Sequence, residues 1–114
     1  LKSPPLISMG DAPDKPDPKG FINLSKKLIG DKLGESNIPI AYVGDTIADI
    51  NTVINARKEI PSQKFISIGI APPHLHLNSR LKERNSYETN LRNAGADLIL
   101  NSIYDLKDIN LDLF

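Results

Sequence analysis

Short apolar runs alternate along the chain with segments whose apolar residues are spaced as on a helix. The first run covers residues 6–9 and predicts a strand. A proline-rich segment then leads into residues 20–29, where Phe21, Leu24 and Leu28 repeat at helical spacing. The beginning of the chain is therefore predicted to be strand, loop and helix.

The central part of the chain repeats this alternation. Residues 39–43 form a continuous apolar run of the length of a buried strand, and the run stops at Gly44. The apolar residues that follow fall on one face of a helix, and they are Ile47, Ile50, Val53 and Ile54. We therefore predict a second strand and a second helix.

Two further strands are predicted at residues 65–70 and 97–100. Residues 75–94, which lie between them, are polar, and we expect only the second half of this segment to be helical, ending at Gly95. A short final helix is predicted over residues 102–109, and the serine at its start can act as the N-cap.

Strands that alternate with helices predict a parallel sheet with right-handed crossovers, and hence an open α/β architecture. A length of 114 residues suits a single domain. In such folds, ligands bind at the carboxyl ends of the strands, where loops of neighbouring units meet. Residues that directly follow the predicted strands are therefore the first candidates for a functional site.

Composition narrows the classes of protein. Leu, Ile, Val and Phe make up about 30% of the chain, above the roughly 20% typical of disordered chains, so we expect a compact core. Lys and Arg total 14 against 14 Asp and Glu, which gives no basic footprint for a nucleic acid or an anionic membrane. Cysteine is absent, which excludes disulfides and thiolate sites and fits a cytoplasmic location. No apolar run reaches the roughly 18 residues that span a bilayer.

Two acidic residues follow the second predicted strand. Gly44 allows a tight turn, and Asp45 and Asp49 are four residues apart, so both carboxylates can face one volume at the start of the helix. The helix N-terminus favours their ionised forms, and ionised oxygen ligands beside open space suit Mg²⁺. A second interpretation stays open, in which Asp45 caps the helix and Asp49 is an exposed acid in its first turn.

A lysine in the proline-rich loop is the second candidate for chemistry. Lys15 precedes Pro16, which biases Lys15 away from helical angles, so the ammonium should project from a stiffened loop at a strand's carboxyl end. In that position it can neutralise a phosphate or steady a carboxylate. The alternative is an ordinary solvated loop lysine.

Taken together, these segments resemble the haloacid dehalogenase-like (HAD) hydrolases. Residues 15–18 (Lys-Pro-Asp-Pro) and 43–50 (Val-Gly-Asp-Thr-Ile-Ala-Asp-Ile) are similar to the third and fourth motifs of that family, in order and in loop setting. Residues 94–103 resemble the late strand and helix of its phosphoglycolate-phosphatase-like branch. The resemblance covers nearly the whole chain, and it implies a Rossmann-like, three-layer core with a mostly parallel sheet.

In the HAD family an aspartate attacks a phosphoryl group, and water hydrolyses the aspartyl-phosphate with the help of Mg²⁺. By resemblance, Lys15 would hold the nucleophile and the transferring phosphate, Asp45 would bind Mg²⁺, and Asp49 would support the metal or its waters. The implied activity is a Mg²⁺-dependent phosphatase of a small phosphorylated metabolite. Such a set of residues fits phosphoryl transfer, which depends mainly on positioning and charge neutralisation.

The chain departs from the family pattern at its beginning. No Asp-x-Asp-x-Thr motif follows a strand, so the nucleophile is missing, and the serine or threonine of the second motif is not at its usual place. We therefore expect residues 1–114 to be the C-terminal portion of a HAD-like core, without its first strand and its cap insertion, and inactive alone. Such a portion would leave an apolar sheet edge open to pairing. The oligomeric state stays open.

Other functions compete with this interpretation. One is a non-catalytic α/β module, either an inactive HAD-like fragment or a binding domain that uses the same loops. Another is a receiver-type phosphoacceptor domain, which also combines acids with a lysine on a parallel sheet. There, however, the lysine follows the acids along the chain, whereas Lys15 precedes Asp45.

Two weaker candidates lie in the polar segment. His74 and His76 would give a metal only two ligands, which favours a plain polar loop. The basic residues of this segment are interleaved with glutamates, which favours a solvated helix face over a phosphate clamp. These basic residues are Arg80, Lys82, Arg84 and Arg92.

Overall fold

A computed structural model describes residues 16–35 and 38–101 of the chain, together with the backbone of residues 6–8. Strands and helices alternate in the order β1 (Leu6–Ser8), α1 (Lys19–Ile29), β2 (Ile40–Gly44), α2 (Ile47–Glu59), β3 (Phe65–Ile70), α3 (Leu81–Ala94) and β4 (Leu98–Leu100). Short 3₁₀ turns follow α1 and precede α3. None of the described helices is long and apolar enough to cross a membrane.

The four predicted strands and the first two helices are confirmed, with ends that differ by about one residue. The third helix is longer than predicted, because it begins at Leu81 rather than in the second half of the polar segment. Few side chains of this helix are apolar, and among its described residues Leu91 is the apolar residue that is fully buried. The spacing of hydrophobic residues therefore predicted only the later turns of the helix. Lys15 and the final predicted helix, residues 102–109, lie outside the described residues.

All the described strands are parallel and pair in chain order, β1-β2-β3-β4. When strand order follows the chain and crossovers are right-handed, the connecting helices lie on one face of the sheet. The packing agrees with this rule, since Phe21 of α1 and Val53 of α2 share a core cluster with Phe65 of β3. Leu91 of α3 lies against Gly69, which is on the same face of β3.

Aromatic rings form the centre of this helical side of the core. The ring of Phe21 stacks on that of Tyr42, with centroids 5.0 Å apart, and lies 5.1 Å from the ring of Phe65. Contacts of this kind contribute about 1 kcal/mol per pair beyond the area that they bury. They attach α1 and β3 to β2, the strand that leads into the acidic loop.

The opposite face of the sheet is also apolar and buried, and its core residues are Ala41, Val43, Ile66, Ile68, Ile70 and Leu100. Among residues 16–35 and 38–101, no helix packs on this face. The parallel α/β architecture is therefore confirmed, while the three-layer, HAD-type arrangement stays a prediction. A missing first strand was expected to leave an apolar strand at an open edge of the sheet. β2 is not such an edge strand, because it pairs with β1 on one side and with β3 on the other.

Candidate functional site

The loop between β2 and α2 contains both acidic candidates. Thr46 has an extended backbone conformation and is the N-cap of α2. Its hydroxyl accepts the backbone N–H of Asp49 at 3.1 Å, and the Asp49 carboxylate accepts the backbone N–H of Thr46 at 3.1 Å. This reciprocal pair is a capping box, which satisfies two of the free N–H groups at the helix start. The interpretation in which Asp45 caps the helix is therefore wrong.

Asp49 is a buried organiser of this loop. Its side chain is 1% exposed, so the expectation of an exposed first-turn acid is wrong too. Oδ2 accepts the backbone N–H of Asp45 at 3.1 Å and the hydroxyl of Thr46 at 2.8 Å, besides the capping bond. Oδ1 accepts the hydroxyl of Tyr42 at 2.9 Å. Hydrogen bonds of this kind, together with the positive end of α2, offset the cost of burying a carboxylate.

Gly44 permits the close approach of α2 to β2. A Cβ atom at this position would lie 2.2 Å from Cβ of Asp49 and 2.5 Å from its Cγ. Gly44 is not among the described glycines with positive φ. Glycine is therefore needed here because a side chain would overlap Asp49, and not because of the tight turn that the sequence suggested.

The carboxylate of Asp45 stands apart from this network. The residue is half-buried, its backbone N–H is bound by Asp49, and its carbonyl accepts the hydroxyl of Tyr87. Among the described residues, none donates a hydrogen bond to the Asp45 carboxylate or forms an ion pair with it. Two hydrogen bonds, to Asp49 and from Tyr87, thus hold the backbone of Asp45, and its carboxylate is available to bind a ligand.

Tyr87 of α3 belongs to this site, although sequence patterns did not single it out. The pKa of Tyr87 is raised above its ordinary value. Burial is the main cause, and the negative charges of Asp45 and Asp49 add to it. The phenol is therefore a protonated donor at neutral pH, as its bond to the Asp45 carbonyl requires. The two residues are 42 positions apart in the chain, so no local spacing links them.

The contacts of Asp45 and Asp49 show which of the two carboxylates could bind a metal ion. Within the described ranges, no three His, Cys, Asp or Glu side chains are grouped closely enough to hold a metal. Mg²⁺, however, usually takes only one or two protein carboxylates and completes its shell with water and phosphate oxygens. Asp45 can supply one such carboxylate. Both oxygens of Asp49 already accept protein donors, so the geometry supports a positioning role for Asp49, and its role as a ligand stays a prediction.

The weaker candidates do not join this site. Nε2 of His76 lies 2.7 Å from the carbonyl oxygen of Ala71, an arrangement that fits a polar loop. Most of the basic residues of the polar segment are on α3 or just before it, and two of them pair with glutamates. Arg80 contacts Glu83 at 2.7 Å, and Arg84 lies 3.6 Å from Glu88. The exposed pair of Arg80 and Glu83 fits the predicted solvated helix face, whereas the pair of Arg84 and Glu88 is largely buried and does not.

No protein-family model, curated protein or solved structure matches the chain.

Proposed function

We propose that this chain carries the Mg²⁺- and phosphate-binding part of a HAD-like phosphatase site, in a protein that acts on a small phosphorylated metabolite. The observation that supports it most directly is the Asp45 carboxylate. It has no partner among the described residues, yet its backbone is held by Asp49 and Tyr87 at the carboxyl edge of a parallel sheet. An available acid on a rigid loop at that edge suits a ligand-binding role.

The described residues have separate tasks in this proposal. Asp45 binds Mg²⁺, and Asp49 and Tyr87 hold the loop so that the Asp45 carboxylate is already placed when the ion arrives. The bound ion supplies charge neutralisation at the phosphoryl oxygens. Lys15, outside the described residues, is proposed to neutralise the same phosphate. The nucleophilic aspartate of the reaction is not supplied by this chain, because no Asp-x-Asp-x-Thr motif is present in it.

Metal binding can be tested on the chain itself. Mn²⁺ replaces Mg²⁺ at oxygen sites and broadens the NMR signals of nearby nuclei. We expect selective broadening of the backbone amides of Asp45, Thr46 and Tyr87, and competition by excess Mg²⁺. Asp45→Asn should weaken Mn²⁺ binding at least about tenfold, since it removes the ligand charge. Asp31→Asn, which changes an exposed acid in the turn after α1, is the matched control and should leave the affinity unchanged.

Equal broadening in the wild type and in Asp45→Asn would contradict the proposed site. Since the Asp45 carboxylate has no described partner, the folded state should survive this substitution, and an unchanged amide spectrum away from the loop would verify it.

Catalysis requires a longer protein that contains this chain and a nucleophile segment. Such a protein should hydrolyse p-nitrophenyl phosphate in the presence of Mg²⁺. Asp45→Asn should lower kcat/KM by about 10²–10³-fold, the usual cost of losing a group that stabilises the transition state. An active protein with an unaltered rate after this substitution would contradict the proposal.

A non-catalytic binding module is the second candidate, and the absent nucleophile motif favours it for residues 1–114 taken alone. The same longer protein separates the two functions. A module of this kind would show no phosphatase activity, and Mg²⁺ would not alter its stability or its binding of phosphate.

A further inference from the structure

A groove with a volume of about 430 Å³ lies far from the acidic loop. It is lined by the last turn of α1, by the 3₁₀ turn that follows α1, and by the residue that follows α2. Helices of a parallel α/β fold run back along the sheet, so α1 and α2 end near the amino ends of the strands, whereas Asp45 follows the carboxyl end of β2. Pockets for small ligands usually have volumes of about 300–1,000 Å³, and this groove is within that range.

Part of the lining of this groove is apolar. The side chains of Leu33 and Ile60 are half-buried, because they also pack against the core cluster that contains Phe21. The turn that carries Leu33 is held in place, since the backbone N–H of Gly34 donates to Oε1 of Gln63 at 2.9 Å. An aliphatic group of a ligand can therefore pack on a fixed apolar surface here.

Two side chains of opposite charge line the same groove. Lys26 belongs to the last turn of α1, and Asp31 belongs to the 3₁₀ turn. Both are exposed, and among the residues that the structure describes neither charged group forms an ion pair or a hydrogen bond. The space beside Gly30, between them in the chain, is open, because a Cβ atom there would meet no atom within 4 Å.

This pair of charges selects for the charge pattern of a ligand. A ligand with one charge is attracted by one of the two side chains and repelled by the other. A ligand with both an ammonium and a carboxylate can pair with each of them. The carboxyl end of α1 carries a partial negative charge, which further favours an ammonium beside Asp31.

We propose that this groove binds a free α-amino acid with an aliphatic side chain. The carboxylate of the ligand pairs with Lys26, its ammonium pairs with Asp31, and its side chain packs on Leu33 and Ile60. This site is independent of the proposed phosphatase function, because none of its residues belongs to the acidic loop or to the helix that supports it through Tyr87.

Four probes separate the three groups of the ligand. L-Leucine has all of them, N-acetyl-L-leucine lacks the ammonium, L-leucinamide lacks the carboxylate, and glycine lacks the side chain. NMR titration of the chain in about 0.15 M salt, where charges more than about 8 Å apart are largely screened, should shift the amides of Gly30, Asp31 and Leu33. We expect a dissociation constant of about 1 mM for L-leucine, and at least about fivefold weaker binding of the other three probes.

Two variants connect each charge of the ligand to one side chain. Lys26→Gln should weaken the binding of L-leucine about fivefold but should not weaken that of L-leucinamide, which has no carboxylate. Asp31→Asn should likewise weaken the binding of L-leucine but not that of N-acetyl-L-leucine, which has no ammonium. Both side chains are exposed, so neither substitution should disturb the fold.

Matched controls are available at neighbouring positions. Lys27 follows Lys26 in the last turn of α1, and Glu59 is the last residue of α2. Both are exposed and neither lines the groove. Lys27→Gln and Glu59→Gln should therefore bind L-leucine as the wild type does.

The titrations can overturn the proposal in several ways. No saturable shift at about 10 mM L-leucine, ten times the expected dissociation constant, would contradict the site. Equal binding of the four probes, or equal losses of L-leucine and L-leucinamide in Lys26→Gln, would contradict the assigned charges. Binding of L-leucinamide as tight as that of L-leucine would indicate the amino terminus of a peptide instead. Losses that follow the matching ligand group in Lys26→Gln and Asp31→Asn, with both controls unchanged, support the assignment.

Discussion

The hydroxyl of Tyr42 donates a hydrogen bond to Oδ1 of Asp49 at 2.9 Å, which joins the middle of β2 to the first turn of α2. Both residues are almost completely buried. The ring of the same tyrosine stacks on Phe21, so one side chain contacts the core of α1 and the carboxylate that organises the acidic loop. The loop is therefore coupled to the packing of the sheet.

Removal of the Tyr42 hydroxyl should destabilise the protein. Tyr42→Phe keeps the ring stack but removes a donor to a buried carboxylate, and we expect a loss of about 2 kcal/mol in the free energy of unfolding. Urea denaturation of the chain measures this loss. Thr89→Val removes a hydroxyl that bonds the preceding turn on the exposed side of α3, so it should change stability by no more than about 0.5 kcal/mol. Similar values for the two variants would contradict the coupling.

Gly44→Ala should be one of the most damaging small substitutions in the chain. The added Cβ would overlap the Cβ of Asp49, a position fixed by the backbone of α2, so we expect a cost of about 3 kcal/mol and weaker Mn²⁺ binding. Gly69 pairs with Gly44 in the sheet and is the matched control. A Cβ there would lie 3.0 and 3.2 Å from the ends of the Ile99 and Leu91 side chains and 3.4 Å from the Leu91 Cβ, which is an ordinary contact, so Gly69→Ala should cost clearly less in thermal unfolding. Equal costs would refute the steric explanation.

The two acids should respond in opposite ways to loss of charge. Asp49→Asn turns an amide NH₂ towards groups that are themselves donors, so we expect a loss of about 3 kcal/mol of stability. Asp45→Asn should leave stability within about 0.5 kcal/mol of the wild type while it weakens Mn²⁺ binding at least about tenfold. Chemical denaturation and Mn²⁺ titration of both variants check this contrast. A stable Asp49→Asn protein would contradict the organising role of this residue.

The ionisation of Tyr87 gives a pH-dependent prediction. Its folded pKa is raised above the unfolded value, first by burial and then by the charges of Asp45 and Asp49. The corresponding stabilisation is therefore complete below the unfolded pKa of about 10, and it is lost as the pH rises through the folded pKa. The ¹³Cζ resonance of Tyr87 reports this titration directly.

Asp45→Asn supplies the test of the electrostatic part of that shift. It removes one of the two negative charges, so the pKa of Tyr87 should fall, although burial should still hold it above about 10. Asp31→Asn, at a distant exposed acid, should leave the pKa unchanged. A pKa of Tyr87 that does not respond to Asp45→Asn would show that the phenol does not sense the acidic loop.

Several features of this site were readable in the sequence. The apolar runs of β2 and β3 predicted buried parallel strands, because a strand buried on both faces needs no polar alternation. The spacing of Thr46 and Asp49 is that of a capping box with an aspartate at its third helical position, and this pattern indicates Thr46 as the N-cap. The beginning of α3 was not readable, because its first turns are almost entirely polar.

The sequence by itself determined the alternation of strands and helices and placed Asp45 after a buried strand, because both follow from periodicity and turn residues that act over a few positions. Only the tertiary structure decided that Asp49 is buried beneath the loop, and that Tyr87 supports the Asp45 carbonyl. Those relationships depend on which helix packs over which strand, and the packing is set by the whole core, not by neighbours in the chain.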